Sequence, residues 1–335
     1  MGAPWIEAAH LLAALASQDH RPLQSPQAVR YEQDGRLHTG DLYPAAAGDT
    51  GLVVVPGAAE KGKDDPRLIR LAGVLVEAGF TVLVPDIPSQ RALQVGPENI
   101  ADITDAVDYL AESRRRVGVA AISYAVGPAV LAAIKEGRRL AFLVGVGGYY
   151  DLTSVLTFFT TGYYFEDGLW QKRTPNAYGK WVFVRSNVPR LWDSGDRTLL
   201  SVMASRRMAD PDAPITDLAT RLTSTGRSVY DLLSNGDPNR VPELIDALPP
   251  VIGDDIRALD LKNKDLSGLS AHLLLIHGRD DAIIPAGESR KLAATAPHAT
   301  LFLVDDLAHA DWKAGSLPGM IALLRALCAL LDERA

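Results

Sequence analysis

The chain has 335 residues and a formal net charge of −7, and 47% of its residues are hydrophobic. This composition is typical of a globular chain with a large core, and the acidic balance argues against nucleic-acid binding. No apolar run reaches the ~18 residues that suggest a membrane span. The single cysteine, Cys328, excludes an intrachain disulfide and a thiolate metal cluster.

The first part of the chain predicts a helical arm followed by a hairpin. Residues 4–18 have the pattern of an amphipathic helix, and we assign residues 1–22 to this arm. No basic region precedes the apolar stretch from Leu11 to Ala16, so the arm does not match a signal peptide and a cytoplasmic location is expected. Between residues 27 and 44, two strand-like runs flank the turn pair Asp34-Gly35, which predicts a β-hairpin.

From residue 51 onwards, predicted strands and helices alternate. Short apolar runs predict buried strands at 51–57, 81–85, 117–122 and 140–146. Apolar positions with helical spacing predict helices at 66–79, 97–114 and 123–136. This alternation predicts an α/β fold in which helices cover both faces of a mostly parallel central sheet.

The alternation stops after Asp151 for more than a hundred residues. Ten aromatic residues lie between Phe158 and Trp192, and later helical patterns cover 214–234 and 242–248. A structureless loop of this length is implausible inside a compact domain, so we expect a helical, aromatic-rich cap at 153–267. The alternation then resumes with strands at 273–277 and 300–304, a helix at 287–296 and a closing helix from Met320 to Leu331. We therefore expect a core domain made of two parts, 23–152 and 268–335.

Ser123 lies where a predicted strand changes abruptly into a helix. The small residues Ala121 and Ala125 lie two positions to either side, where a tight corner brings side chains close to the backbone. Such a corner lifts the serine hydroxyl above the sheet and leaves free N–H groups at the helix N-terminus behind it. This pattern indicates a nucleophile, and the alternative is an ordinary buried serine at a strand end.

Two later segments place an acid and a histidine directly after predicted strands. Asp281 follows the strand at 273–277, and His309 follows the strand at 300–304. Residues 121–125 resemble the nucleophile elbow of the α/β-hydrolase superfamily, with alanine in place of both glycines. Residues 277–285 resemble the acid loop of that family, read as His-Gly-x-x-Asp-x-x-Ile-Pro. The order of serine, acid and histidine is also the order in that superfamily.

The resemblance implies the α/β-hydrolase fold and the activity of a serine hydrolase of the carboxylesterase or dienelactone-hydrolase type, with no metal or organic cofactor. It implies that Ser123, Asp281 and His309 form the catalytic triad. A serine hydroxyl is a weak nucleophile, so His309 is expected to accept its proton. Asp281 is expected to orient the imidazole and to stabilise its charged form.

Further residues are assigned to the site around the triad. The oxyanion donors are expected to be the backbone N–H groups of Tyr124 and of Ala58, with Ala59 second, in the turn after Pro56-Gly57. Pro56 stands where the family often has histidine. The aromatic run has two interpretations, as the packing core of the cap or as the apolar wall of a substrate pocket. The pocket interpretation assigns the wall to Phe158, Phe159, Tyr163 and Trp170.

Several other polar residues have alternative interpretations. Asp280 is the acid if the loop is shifted by one position, and Asp151 also follows a strand and is a further alternative. His277 precedes a glycine at a strand end and is interpreted as structural. The glycine-rich run at 145–148 does not match a dinucleotide loop, because Tyr150 stands where a further glycine belongs.

The predicted function is cleavage of small carboxylic esters through an acyl-serine intermediate, with an apolar or aromatic substrate. A C–C bond hydrolase, lactonase, amidase or acyltransferase would use the same triad, so these activities are alternatives. A third hypothesis is a non-catalytic binding protein on a hydrolase-like fold, which the presence of all three triad residues disfavours. The oligomeric state is left open.

Overall fold

The computed structural model describes residues 3–17, 22, 25–166, 168–309, 311–312 and 316–334. The ends of the predicted arm and core, at residues 1–2, 18–21, 23–24 and 335, lie outside the described residues. The strands, in chain order, are β1 (Gln27–Gln33), β2 (Arg36–Tyr43), β3 (Thr50–Val55), β4 (Thr81–Asp86), β5 (Arg116–Ile122), β6 (Leu140–Val146), β7 (Tyr163–Glu166), β8 (Leu169–Lys172), β9 (His272–Gly278), β10 (Ala299–Val304), β11 (Leu307–Ala308) and β12 (Asp311–Trp312).

The α-helices follow the predicted alternation closely in the core. They are α1 (Ala3–Ala16), α2 (Pro66–Glu77), α3 (Pro88–Arg91), α4 (Asn99–Ala111), α5 (Val126–Glu136), α6 (Leu152–Thr161), α7 (Tyr178–Asn187), α8 (Ser194–Ala209), α9 (Thr216–Ala219), α10 (Ser224–Ser234), α11 (Val241–Asp246), α12 (Pro250–Leu259), α13 (Gly287–Thr295) and α14 (Leu317–Asp332). Several begin at a side-chain cap. In α2, for example, the Asp65 carboxylate accepts the N–H of Arg67, and Pro66 occupies the first position.

Within the described residues, eight strands pair into one sheet in the order β1-β2-β4-β3-β5-β6-β9-β10. The strands from β4 to β10 in this order are parallel, whereas β2 pairs antiparallel with both β1 and β4. The strand β3 is buried along its whole length, because helices cover both faces of the sheet. This arrangement places the carboxyl ends of β3, β5, β6, β9 and β10 along one edge.

Helices form a layer on each face of the sheet. The helices α4 and α5 pack on one face through buried residues such as Ile103, Val107 and Val130. The helices α1, α2 and α14 pack on the other face, where Leu68 and Leu330 are buried. Each face therefore has its own apolar core, and the sheet separates the two.

The segment between β6 and β9 is largely helical, but it differs from the sequence prediction in two places. The strands β7 and β8 form an antiparallel hairpin in the aromatic-rich stretch, with Phe165 opposite Trp170. The predicted helix at 214–234 is two helices, α9 and α10. The buried Asp196 carboxylate accepts the N–H groups of Thr223 and Gly226 at 2.9 and 2.8 Å. These hydrogen bonds hold a turn between α9 and α10.

A close contact between β5 and β6 provides a test of the core packing. Gly118 lies opposite Phe142, and a Cβ at Gly118 would lie 2.2 to 2.5 Å from atoms of that buried ring. We expect Gly118→Ala to lower the free energy of unfolding by about 1–3 kcal/mol, because the ring has to move in a packed core. Denaturant unfolding measures this change.

The matched control for this substitution is Gly268→Ala. A Cβ at Gly268 meets only the Ile134 Cγ2 atom at an ordinary 3.6 Å, so we expect the free energy of unfolding to be almost unchanged. Equal stability of the two variants would contradict the packing described for β5 and β6.

Candidate active site

Ser123 occupies a sharp corner between β5 and α5. Its φ of +58° lies in the left-handed region, which costs a non-glycine residue about 1–3 kcal/mol. The neighbouring residues are small where the corner is crowded. A Cβ at Gly57 would lie 3.1 Å from the Ser123 Cβ, and Ala121 and Ala125 are fully buried. The strained backbone therefore depends on close packing by small residues on both sides.

The structure brings Ser123, His309 and Asp281 together in one chain of hydrogen bonds. Ser123 Oγ lies 2.7 Å from His309 Nε2, and His309 Nδ1 lies 2.7 Å from Asp281 Oδ2. A carboxylate only accepts, so His309 Nδ1–H is the donor to Asp281. When the imidazole is neutral, its Nε2 is then free to accept a hydrogen bond from the serine hydroxyl. This is the arrangement that can remove a proton from the hydroxyl.

Asp281 is fully buried and makes several hydrogen bonds. Its Oδ1 accepts the N–H groups of Ile283 and Ile284 at 2.7 and 3.0 Å. Burial alone would raise the pKa of this carboxyl group. The side chains of His277 and His309 outweigh that effect and hold the pKa of Asp281 well below its usual range. The group is therefore a carboxylate at neutral pH.

His277 is a second histidine that contacts Asp281, at the same oxygen atom as His309. Its ring is fully buried, with Nε2 2.9 Å from the Ile284 carbonyl oxygen and 3.3 Å from Asp281 Oδ2. A carbonyl oxygen only accepts, so Nε2 carries the proton, and Nδ1 accepts from the Ser289 hydroxyl at 2.7 Å. His277 thus supports the acid and does not contact Ser123 directly in this arrangement.

Gly147 packs closely against the side chains of Asp281 and His309. Its φ is +62°, and a Cβ here would lie 3.2 Å from His309 Nδ1 and 3.5 Å from Asp281 Oδ2. A side chain at this position would crowd the hydrogen bond between them. The glycine-rich run after β6 therefore provides space for the site. The sequence signal for this role is the position of the run, directly after a strand that ends at the same edge of the sheet as β5 and β9.

The two predicted oxyanion donors flank the serine. Tyr124 lies in the first turn of the helical segment after Ser123, where backbone N–H groups have no acceptor within the helix. Its phenol is buried and donates to the Gly96 carbonyl at 2.8 Å. Burial raises the pKa of this phenol, so it stays a donor. Ala58 lies in the turn after β3, and its carbonyl accepts the Tyr178 hydroxyl at 2.9 Å.

A cavity of about 910 Å³ opens at Ser123 and His309. In the segment between β6 and β9, which we call the cap side, aliphatic and aromatic side chains of α6, α7 and α12 line it, together with a few polar groups such as Asn187 and Asp255. Of the four predicted pocket residues, Phe159 is a lining residue. Phe158 is fully buried beside it, and Tyr163 and Trp170 pack against each other in the β7–β8 hairpin, outside the described lining.

Neither of the two alternative acids belongs to the hydrogen-bonded chain, although Asp280 lines the cavity. The Asp280 side chain is 88% exposed and pairs with Arg173 at 3.5 Å. Asp151 is buried, and its carboxylate accepts the Ser154 N–H at 3.1 Å and the Lys262 ammonium at 2.8 Å. Burial acts to raise the pKa of Asp151, but these hydrogen bonds prevail and lower it. Asp151 therefore caps α6 and pairs with a lysine.

No group of three or more His, Cys, Asp or Glu side chains among the described residues is arranged to hold a metal ion. Among the helices formed by these residues, none combines the length and the apolar character needed to cross a bilayer.

Comparison with known proteins finds similarity in structure only. No family model matches the chain, and no curated protein matches its sequence. Among solved structures, DcsB in complex with its substrate analogue is 14% identical with a TM-score of 0.54, and the match covers 93% of this chain and 100% of DcsB. The α/β hydrolase GrgF from a Penicillium species is 15% identical with a TM-score of 0.52, and the match covers 91% of this chain and 100% of GrgF.

The Asp151–Lys262 pair predicts a pH dependence of stability. We expect Asp151→Asn to lower the free energy of unfolding by about 1–3 kcal/mol at neutral pH, because the charged hydrogen bond is lost. The pKa of Asp151 is lower in the folded than in the unfolded chain. Its contribution is therefore complete above the unfolded value of about 3.9 and is lost as the pH falls through the folded value. Denaturant unfolding of both proteins across this range measures the difference.

A constant difference between wild type and Asp151→Asn down to the lowest accessible pH would contradict this assignment. Asp280→Asn is the control, because its exposed side chain contributes little. We expect that variant to match the wild type at every pH.

Proposed function

The chain has the α/β-hydrolase fold, and on that premise we propose that it is a serine hydrolase that cleaves carboxylic esters through an acyl-serine intermediate. The observation that carries this proposal is the hydrogen-bonded chain from Ser123 through His309 to Asp281, which opens on an apolar cavity. The strained backbone of Ser123 adds support, because strain of this kind is concentrated at functional sites.

The proposed reaction begins with attack of Ser123 Oγ on the ester carbonyl. His309 Nε2 accepts the hydroxyl proton as the new C–O bond forms, and the Asp281 carboxylate stabilises the resulting imidazolium through Nδ1–H. The carbonyl oxygen becomes an oxyanion, which the N–H groups of Tyr124 and Ala58 are proposed to bind. Each such donor is worth about 3–4 kcal/mol of transition-state stabilisation.

The tetrahedral intermediate then collapses to the acyl-serine. Its bond to the alkoxy oxygen breaks, and His309 donates its proton to that oxygen, which releases the alcohol. A water molecule next attacks the acyl group while His309 Nε2 accepts a proton from it. The second intermediate expels Ser123, which recovers its proton from His309, and the carboxylic acid leaves. Every proton in this cycle passes through one imidazole nitrogen.

The choice of an ester bond rests on the apolar cavity and on the leaving group. An alkoxide leaves more readily than an amine or a carbanion, so this triad requires least further assistance with an ester. Amides, lactones and β-diketones serve as the comparison substrates. A kcat/KM for a lactone or β-diketone far above that for simple esters would replace the ester proposal while leaving the nucleophile in place.

Substitution of the triad is the first test of the proposal. We expect Ser123→Ala to lower kcat for a short p-nitrophenyl ester by at least about 10⁴-fold, because the nucleophile is removed. Asp281→Asn is expected to lower kcat by about 10⁴-fold, since the imidazole loses its orienting carboxylate. Covalent labelling by a fluorophosphonate gives a second readout and is expected to depend on Ser123.

Asp212→Asn is the control, because that side chain is exposed and lies outside both the hydrogen-bonded chain and the cavity lining. We expect it to keep the activity of the wild type. Hydrolysis by Ser123→Ala at the rate of the wild type would overturn the proposed function.

The hydroxyl of Tyr178 provides a test of the Ala58 donor. Its hydrogen bond to the Ala58 carbonyl holds the turn after β3 in place. We expect Tyr178→Phe to lower kcat by about three- to tenfold with a smaller change in KM, because loosening by one hydrogen bond affects the oxyanion most. Tyr163→Phe is the control, since Tyr163 lies in the β7–β8 hairpin. A loss confined to KM would argue against this role.

A further inference from the structure

The cavity at Ser123 extends past the sheet edge to the face that is covered by α1, α2 and α14. Its lining includes the cap residues described above and, on this second face, a continuous set of aliphatic side chains. These are Leu11, Leu12, Leu15, Leu68, Leu71, Leu75, Ile122, Val146, Ile276, Leu323, Ala326, Leu327 and Leu330. We name this part of the cavity the second chamber. It has no role in the reaction described so far.

The floor of the second chamber is a row of three strand-end residues. Ile122 pairs with Val146, and Val146 pairs with Ile276, so the three lie side by side across β5, β6 and β9. All three are only half-buried although helices cover this face. One step further from the active edge, the residues on the same face, such as Leu274, are buried. The unfilled space is therefore next to the strand ends.

The position of the floor joins the second chamber to the catalytic residues. Ile122 directly precedes Ser123, and Ile276 directly precedes His277, the neighbour of Asp281. Successive residues of a strand point to opposite faces. Ala121 accordingly belongs to the core under α4 and α5, whereas Ile122 belongs to the core under α2 and α14. A substrate attached to Ser123 thus lies at the junction of two apolar spaces.

Three helices form the walls and roof of the second chamber. Leu71 of α2 and Leu327 of α14 are only partly buried where they face it, and α1 lies across both helices. The helix α1 is fixed by buried Ala8 and Leu11 and by an ion pair between Glu7 and Arg334 at 2.9 Å. The charged lining residues of α2, Arg67 and Arg70, are exposed or half-exposed at the rim.

We infer that the second chamber binds an unbranched aliphatic chain of the substrate while its ester carbonyl lies at Ser123, an inference that rests on the proposed function. The lining consists of leucine, isoleucine, valine and alanine, with aromatic and charged side chains confined to the cap side and the rim. A flexible methylene chain can follow a space between a helix layer and a sheet and gains affinity with each buried methylene. This aliphatic chain is either the acyl or the alkoxy part of the ester.

The test is the dependence of kcat/KM on chain length in two series of esters. The first series contains p-nitrophenyl acetate, butanoate, octanoate and dodecanoate, and the second contains alkyl acetates with the same chain lengths. We expect kcat/KM to rise about three- to fourfold for each added methylene in one of the two series. The series that rises identifies which side of the ester enters the second chamber.

Substitutions on each side of the cavity show where the aliphatic chain of the ester binds. Ala326→Phe places a ring inside the second chamber, where Ala326 lines the space. We expect the loss of kcat/KM to be more than about tenfold larger for the longest ester than for the shortest. Val182→Phe narrows the cap side and is expected to keep the rise with chain length. Ala322→Phe is the control on α14, because Ala322 is half-buried outside the described lining.

Binding of dodecanoate, measured by isothermal titration calorimetry, separates this inference from the proposed function. Weaker binding to Ala326→Phe than to Ala322→Phe supports the second chamber even if no ester is cleaved, in which case only the proposed function fails. Active wild type without dependence on chain length in either series overturns the inference and leaves the hydrolase proposal standing. An unchanged rise with chain length in a folded Ala326→Phe variant overturns it as well.

Discussion

The left-handed backbone of Ser123 is the constraint on which the site depends. A φ of +58° is unfavourable for serine, so the surrounding structure has to hold it. Steric packing provides this support, because β5 and α5 can meet at this sharp corner only if the residues at 57, 121 and 125 are small. These residues are Gly57, Ala121 and Ala125. His309 is also in the left-handed region, with a φ of +55°. Two residues of the hydrogen-bonded chain thus depend on the rigid sheet edge for their conformation.

The sequence predicts the central sheet and also predicts that three polar side chains lie together at one edge of it. Both predictions follow from local patterns. Apolar runs mark β3, β5, β6 and β9, and strand ends of a parallel sheet share an edge, so Ser123, Asp281 and His309 were expected to converge. The sequence marks His277 as structural, but it does not predict the contact of His277 with Asp281 or the role of Gly147. Both roles depend on contacts between segments that are distant in sequence. No local pattern shows that His309 packs on Gly147 or that His277 lies beside Asp281.

The segment between β6 and β9 is harder to predict for a similar reason. The β7–β8 hairpin lies in an aromatic run whose composition suits either a strand or a helix. The break between α9 and α10 is imposed by Asp196, which lies in another helix. The pocket wall is the least predictable part, since adjacent Phe158 and Phe159 point in different directions and only the second reaches the cavity. Composition indicates where the inserted helical segment lies, whereas tertiary contacts decide which of its side chains face the cavity.

The docking of α1 on α14 has a consequence for the order in which the chain matures. Glu7 and Arg334 are separated by almost the entire polypeptide, yet their ion pair fixes the roof of the second chamber. During synthesis α1 is made well before α14, so the α1 side chains that pack on α14 have no partner there until α14 leaves the ribosome. Closing so long a loop adds only modestly to the entropic penalty of assembly. The second chamber therefore forms only when α14 docks, and until that step α1 exposes apolar side chains.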